Sequence, residues 1–360
     1  MNHNHYIVIM AGGVGSRFWP ASTEEKPKQF LDILGIGKSL LRMTFERSIR
    51  LVPEKNILIL TNERYKELVI SQLPELPVTN ILCEPSMNNT APSIAYAALR
   101  LKALNPNSVF AVLPSDHVIL KEDLYVHIMS QSFEFAEKNE ILVTLGIQPT
   151  RPDTGYGYIK FELNENPGAG DIQPFKKVAS FKEKPDENTA KKYLASGDYL
   201  WNAGMFIWSL KSILSAFELY AEDILKVLNT DSEVYGTGSE QEFINKVYPG
   251  TRRISIDFAI MENAENVYTI PADIGWSDLG TWNSLHAYLA DDSNQVVIGP
   301  NVHLIECDHI IVRSDNPKTI VIKGLHDYIV VDEEDALLIY PKSDEQEIKQ
   351  IVSSVLTNNS

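Results

Sequence analysis

Gly12, Gly13 and Gly15 put three glycines into four positions, with Ser16 and Arg17 directly after them. Lys26 and Lys28 follow about ten residues on. With no Cβ atom at those three glycines, the main chain after Ala11 can bring its N–H groups close to a ligand. Donors of that kind beside fixed cations suit a polyphosphate, which needs many hydrogen bonds and a neutralised charge. The loop is not a Walker A motif, because no Gly-Lys-Ser/Thr follows at the required spacing. It is not a full dinucleotide fingerprint either, since Phe18 stands where the third glycine belongs and Pro20 opposes a helix start. The pattern predicts a nucleotide site of another geometry; a glycine-rich turn kept for packing is the competing reading.

Carboxylates and amides that close strands supply the remaining chemistry. Glu84 begins Glu84-Pro85-Ser86-Met87-Asn88-Asn89-Thr90-Ala91-Pro92. Asn89 or Thr90 can cap the helix that follows, with Pro92 in its first turn. Read functionally, the Glu84 carboxylate accepts from guanine N1–H and its 2-amino group, which adenine lacks. Asp116, in Leu113-Pro114-Ser115-Asp116-His117, either caps a turn or holds Mg²⁺ against nucleotide phosphates. His117 is open between local hydrogen bonding and chemistry. Asn202 precedes a strand expected over 205–210, and its amide both donates to and accepts from a hydroxyl pair. Asp257 caps a helix expected over 255–262 or meets a sugar.

These residues need a scaffold, and the first half of the chain alternates strands with helices. Strands are expected over 6–10, 56–60, 80–83, 109–113 and 141–147; helices over 62–73, 92–105 and 123–139. That alternation predicts an α/β domain with a mostly parallel mixed sheet covered on both faces. Ligands of such sheets bind beyond the carboxyl ends of the strands, where the glycine loop, Glu84 and Asp116 all fall. Strands over 159–162 and 178–185 flank a polar loop at 164–174. Glu183 and Lys184 then face opposite ways unless Pro185 ends the strand. A helix over 186–196 stops at Gly197. Helices follow over 211–220, 221–229 and 240–247, and a strand over 266–270. From Asp291 onward short strands alternate with turns, which predicts a small β appendage, a short β-helix, closed by a helix over 343–356. The expected division is a catalytic domain over 1–290 and the appendage over 291–360.

The chain has 360 residues, 44% of them hydrophobic, and a net charge of −16. That charge argues against nucleic acid and anionic membrane as partners. It also means that phosphate substrates must be won by local cations and a divalent metal. Cys83 and Cys307 are too few for a disulfide framework or metal cluster, so reduced thiols and a cytoplasmic setting are expected. No stretch approaches the ~18 apolar residues of a membrane span.

Gly-Gly-x-Gly-x-Arg with the Lys26-Pro27-Lys28-Gln29-Phe30 segment resembles the signature of the sugar-phosphate nucleotidylyltransferases. The match is to the branch that transfers guanylyl groups to mannose 1-phosphate, and eight motifs follow in order over roughly 6–288. The resemblance implies a Rossmann-like nucleotidyltransferase domain and the reaction of GTP with mannose 1-phosphate to GDP-mannose and pyrophosphate. It implies nucleotide contacts from Ala11, Gly12, Gly13, Gly15, Ser16, Arg17, Lys28, Glu84, Asn89, Thr90, Ser115 and Asp116. It implies sugar contacts from Gly157, Glu183, Asn202 and Asp257, with Lys184 on the phosphate of the sugar 1-phosphate. Asp278, in Gly275-Trp276-Ser277-Asp278-Leu279-Gly280, is implied as the partner of Asp116 on Mg²⁺. Arg17, Lys28, Asp116, Lys184 and Asp278 are the implied catalytic set. A single-function form is expected, because nothing of cupin type follows the β segment, and a homodimer is expected from the surface that the open β unit offers. The competing functions are transfer with another base or sugar, nicotinamide-dependent oxidoreduction, and a noncatalytic sugar-nucleotide sensor.

Overall fold

The computed structural model describes residues 2–13, 16–162 and 175–357. The chain forms two compact units, one of residues 1–12, 45–114 and 119–276, the other of residues 13–44, 115–118 and 277–360. The polar loop expected at 164–174 lies outside the described residues.

Among the described residues, the main sheet of the first unit has nine strands: β1 His5–Met10, β2 Ile57–Asn62, β3 Ile81–Glu84, β4 Val109–Pro114, β5 Leu142–Ile147, β6 Tyr158–Phe161, β7 Lys176–Lys182, β8 Tyr199–Ser209 and β9 Val267–Pro271. Their order in one sheet is β3-β2-β1-β4-β8-β5-β9-β7-β6. β3, β2, β1 and β4 run parallel, with Ile7 opposite both Ile57 and Ala111. β8 is antiparallel to β4 and β5, and β7 and β6 continue the antiparallel side. The sheet is thus parallel in the half that carries the glycine loop and mixed in the half that carries the sugar-binding candidates, where β9 runs parallel to β5 and antiparallel to β7.

β1 is buried on both faces, as its β-branched run requires. Val8 joins an apolar cluster with Ile94, Ala98 and Phe217 from the helices Thr90–Leu104 and Leu210–Tyr220. On helix Glu122–Lys138, Phe133 stacks on His5 at 4.6 Å. The chain leaves β1 toward β2 and β3, then returns to the other side of β1 as β4. β1 and β4 therefore flank the reversal point where open α/β sheets bind ligands. Gly12 follows β1 and Ser115-Asp116 follows β4.

β8 is longer than expected: Asn202 lies inside it rather than just before it. Its 11 residues pair with β4 over 206–209 and with β6 over 199–201, while β5 runs beside it from Trp201 to Trp208. A register shift opposite Thr144–Gly146 accommodates the extension.

The C-terminal part of the second unit has, among the described residues, six strands: β10 Gln295–Ile298, β11 Val302–Ile305, β12 Ile310–Ser314, β13 Ile320–Lys323, β14 Tyr328–Asp332 and β15 Leu337–Pro341. β10, β12 and β14 stack in parallel, β11 pairs in parallel with β13, and β15 closes the larger sheet antiparallel to β14. This is the expected short β-helix. Its inside is filled by Ile310, Val312, Val330 and Cys307. The other face of the larger sheet presents Ile311, Ile329 and Val331 to Phe18, Leu31, Ile33, Leu279 and Trp282. One apolar cluster thus joins residues that flank the glycine loop, the Lys-Pro-Lys segment and the Asp278 turn to the C-terminal strands. The closing helix is a 3₁₀ segment Lys342–Glu347 continued as α-helix Ile348–Thr357.

Candidate active site

Lys28 is the hub of the candidate residues in the second unit. Pro27 leads into a 3₁₀ turn, Lys28–Phe30, whose three residues are all buried. The Lys28 ammonium donates to the main-chain oxygens of Asp278 at 2.6 Å and Leu279 at 3.0 Å. It pairs with Asp116 Oδ2 at 3.0 Å, so three donors meet three acceptors. The Phe18 ring centroid lies 5.7 Å from the same nitrogen. Leu279 carries its carbonyl in a left-handed backbone, φ +42°, uncommon for a branched apolar residue, and buries its side chain. Gly280 N donates to Asp278 Oδ1 at 3.1 Å. Burial pushes the Asp116 carboxyl up, but the Lys28 charge and then His117 outweigh it and hold the group below its ordinary range. One ammonium therefore gathers the two loops that carry the candidate metal carboxylates.

Those loops fit Mg²⁺, which takes one or two carboxylates and completes its shell with water and substrate phosphates. Among the described residues, no group of three or more His, Cys, Asp or Glu side chains gathers as a metal cage. Gln29 Nε2 donates to Gly13 O at 2.7 Å and ties the glycine loop to the Lys-Pro-Lys segment. Arg17 is exposed in the 3₁₀ turn Ser16–Phe18. Gly15 and the Ser16 side chain lie outside the described residues. Ser115 is buried, and its carbonyl accepts from Thr44 at 3.4 Å.

In the first unit, Ala11 commits its main chain to β2: its N–H bonds Leu60 O at 2.7 Å and its carbonyl accepts from Thr61 at 3.0 Å. Glu84 ends β3, 8% exposed. Its Oε1 accepts from the hydroxyls of Ser93 and Tyr248, while Oε2 lies 3.4 Å from where a Cβ on Gly12 would stand. Burial pushes this carboxyl up to about 7, although the Ser93 and Tyr248 hydroxyls work against that. Asn89 caps helix Thr90–Leu104 with φ +71°, its side chain accepting from Thr90 N at 2.8 Å. Thr90 Oγ1 accepts from Ile256 N at 2.8 Å. Asn88 binds Tyr248 O and Thr251, so the whole Glu84–Thr90 segment is stitched to 248–256.

The sugar-binding candidates converge beside β8. Asn202 Nδ2 donates to Asp257 Oδ1 at 3.0 Å, and Asn202 Oδ1 accepts from Gly204 N at 3.0 Å and Thr144 at 3.3 Å. Asp257 opens a short π-helical segment, Asp257–Met261. Burial and then the Glu183 charge push its carboxyl up to about 6. β7 ends at Lys182, so Glu183 and Lys184 leave the strand before Pro185, and Lys184 takes φ +45°. Lys184 Nζ sits 2.8 Å from Glu183 Oε1, with the lysine side chain 62% exposed and the glutamate 15%. A Cβ on Gly157 would overlap Glu183 Oε2, which explains the glycine there. Asn202 N donates to Gly157 O at 2.8 Å.

Gln29, Ser93, Thr144 and Tyr248 escaped the sequence reading. Gln29 stands inside a recognised motif and was within reach. The other three contact site residues from sequence distances of 9, 58 and 164 in segments without any catalytic pattern.

Residues 6–295 match the family model described as nucleotidyl transferase, and residues 300–355 that of the MannoseP isomerase/GMP-like beta-helix domain. A mannose-1-phosphate guanylyltransferase of Escherichia coli is 36% identical over 354 residues, covering 96% of this chain and 74% of that protein. Mannose-1-phosphate guanylyltransferase RfbM of Salmonella typhimurium is 36% identical over 98% of this chain and 72% of its own length. A crystal structure from Thermus thermophilus, described as a mannose-1-phosphate geranyltransferase, is similar with TM-score 0.86 at 29% identity, covering 98% of this chain and 99% of the other.

Proposed function

The chain belongs to the nucleotidyl transferase family, among its mannose-1-phosphate guanylyltransferases, and from that premise we propose that it transfers GMP from GTP to mannose 1-phosphate, releasing pyrophosphate. The observation that carries the catalytic part is Lys28, whose ammonium gathers the loops of Asp116 and Asp278. A sensor that only binds a sugar nucleotide has no need of two carboxylate loops held on one cation.

The attacking oxygen of mannose 1-phosphate is already ionised, so no general base is required. It approaches the α-phosphorus in line with departing pyrophosphate, and the protein contributes position and charge. Asp116 and Asp278 would hold Mg²⁺, which supplies charge neutralisation on the nucleotide phosphates when bound. Arg17 and the main chain of Gly12, Gly13 and Gly15 serve the triphosphate. Lys28, with its three donors engaged by the protein, acts here by fixing the two carboxylate loops. Lys184 holds the incoming phosphate. Glu183 and Asp257 accept from sugar hydroxyls, Asn202 holds Asp257 in place, and Glu84 accepts from guanine. A cytoplasmic setting fits the two free, buried thiols, Cys83 and Cys307. Among the described residues no helix is long and apolar enough to cross a membrane. A homodimer is part of the proposal and is read from sedimentation of the purified chain.

The deciding experiment measures pyrophosphate release with Mg²⁺ and mannose 1-phosphate, comparing GTP, ATP, UTP and dTTP. Release that requires both GTP and mannose 1-phosphate is expected. Equal release with another nucleotide removes the guanine role of Glu84. Binding without release from any pair turns the protein into the sensor.

A further inference from the structure

Glu84 has an asymmetric environment that its proposed role as base acceptor does not explain. Both hydroxyls within reach of its carboxyl, from Ser93 and Tyr248, bond the same oxygen, Oε1. Oε2 points toward Gly12. Tyr248 is fully buried, and its ring oxygen also lies 3.3 Å from Ser93 Oγ. Ser93 Oγ is in addition 3.0 Å from Asn89 O, so its single proton is shared between two acceptors while Tyr248 supplies the other. The tyrosine itself is fixed by its main chain: Tyr248 O accepts from Asn88 Nδ2 at 3.1 Å and from Thr251 N at 3.0 Å. The base-candidate segment therefore holds the tyrosine, and the tyrosine holds the carboxyl.

We infer that Tyr248, assisted by Ser93, is a positioning residue for nucleotide selection: it fixes the Glu84 rotamer and keeps Oε2 available as an anionic acceptor on the Gly12 side. This deepens the proposed guanine role of Glu84 and rests on it. A buried carboxyl without a cation stays ionised only through hydrogen bonds to its charged form. The groups that face it are Ser93 from its helix, Tyr248 from the 3₁₀ turn Tyr248–Gly250, and Asn62 from β2, which binds the Glu84 carbonyl. Cys83 adjoins it in β3, and its thiol, pushed up to about 11 by burial, is neutral at working pH. Lys66 and Glu63 act on that thiol. With ionisation poised near neutrality, removal of one donor moves the carboxyl toward its protonated form.

The test is a kinetic cycle of Tyr248→Phe, Glu84→Gln and the double variant, with Ser93→Ala as a second probe and thermal unfolding of each. Tyr248→Phe is expected to raise KM for GTP roughly tenfold at about pH 7, the scale of a hydrogen bond to a charged group. kcat stays within about twofold, and KM recovers toward about pH 8.5 as Glu84 ionises again. In the Glu84→Gln background the same change has little further effect, because the two act as one unit. A pH-independent loss accompanied by a lowered Tm makes Tyr248 a packing residue and overturns the inference. Normal kinetics of Tyr248→Phe beside a raised KM in Glu84→Gln also overturn it, and leave the base reading standing. Normal nucleotide selection in Glu84→Gln removes the base reading and the inference with it.

Discussion

Around Lys28, charge is matched by charge: the Asp116 carboxylate meets an ammonium at 3.0 Å and is held below its ordinary range. Glu84 and Asp257 are treated otherwise. Glu84 is buried and Asp257 half-buried, their described side-chain donors are two hydroxyls and an amide, and both carboxyls are pushed up, to about 7 and about 6. Burying an anion without a cation costs free energy, and that cost is recovered when a ligand brings donors. A guanine edge and a sugar bear such donors; a polyphosphate bears none and needs cations. Under the proposed function, the contrast sets a group of residues finished before substrate arrives against one that substrate completes.

The largest effect should come from removing what the finished group offers. Asp278→Ala is expected to lower kcat about 10²–10³-fold, the scale of one strong transition-state contact. Its Tm should move less than that of Lys28→Met, since the two main-chain carbonyls that the Lys28 ammonium bonds, those of Asp278 and Leu279, are kept. A variant that turns over near the wild-type rate at limiting Mg²⁺ would end the metal assignment. Lys28→Met should strike rate and stability together, because it leaves two carbonyls and a carboxylate without their donor. The stability loss is expected to be about 2–3 kcal/mol, below that of a wholly buried pair because Asp116 is 35% exposed. Lys28→Arg should not rescue it, since a planar fork does not reproduce three donors around one point.

How far the sequence carried this comparison differs between its two sides. Around Gly12 and Lys28 the sequence marks its candidates by glycines and cations, as phosphate chemistry demands, whereas Asp116 alone reads equally as a turn residue and Asp278 gains weight only from the resemblance and from its pairing with Asp116. Strand positions were legible too, since buried parallel strands write continuous β-branched runs. What Lys28 does was hidden: two of its three partners are main-chain carbonyls, which every residue has, and they lie 250 and 251 residues away. The packing of Phe18 and Leu31 against Ile311 and Val331 was equally silent, because apolar residues do not name their partners. On the other side, Tyr248 and Thr144 sit in segments without any motif. Asn202 was read as preceding its strand because Trp201-Asn202-Ala203-Gly204 has the composition of a turn, whereas tertiary pairing overrides it.

The unfinished side should respond to pH and to neutralisation. Asp257→Asn is expected to raise KM for mannose 1-phosphate roughly tenfold, the scale of a hydrogen bond to a charged group, with KM for GTP unchanged. The stability sign runs opposite to that of Asp116. A carboxyl raised from 3.8 to about 6 by folding favours the fold below pH 3.8, and this contribution is lost as pH rises through 6. Relative to wild type, Asp257→Asn should therefore be more stable at about pH 8 than at about pH 4; Tm at the two values checks it. In the wild-type enzyme, KM for GTP should climb below about pH 7 and KM for mannose 1-phosphate below about pH 6. Coincident midpoints would mean that one shared group, not Glu84 and Asp257 separately, governs both substrates.

The smallest effect separates a structural from a ligand-binding role in the base segment. Asn89 has φ +71° and caps helix Thr90–Leu104 through its own side chain, so its composition is accounted for by the helix end alone. Glycine adopts that backbone without strain and is a tolerated cap, whereas alanine supplies neither the acceptor nor the φ. Asn89→Gly should change stability by a few tenths of a kcal/mol, and Asn89→Ala should cost about 1 kcal/mol. KM for GTP should stay within about twofold in the glycine variant, since a cap that keeps its geometry leaves Glu84 where it was. A tenfold rise in KM for Asn89→Gly at unchanged Tm would instead place the amide on the nucleotide. The unfinished group would then extend from Glu84 to the helix end.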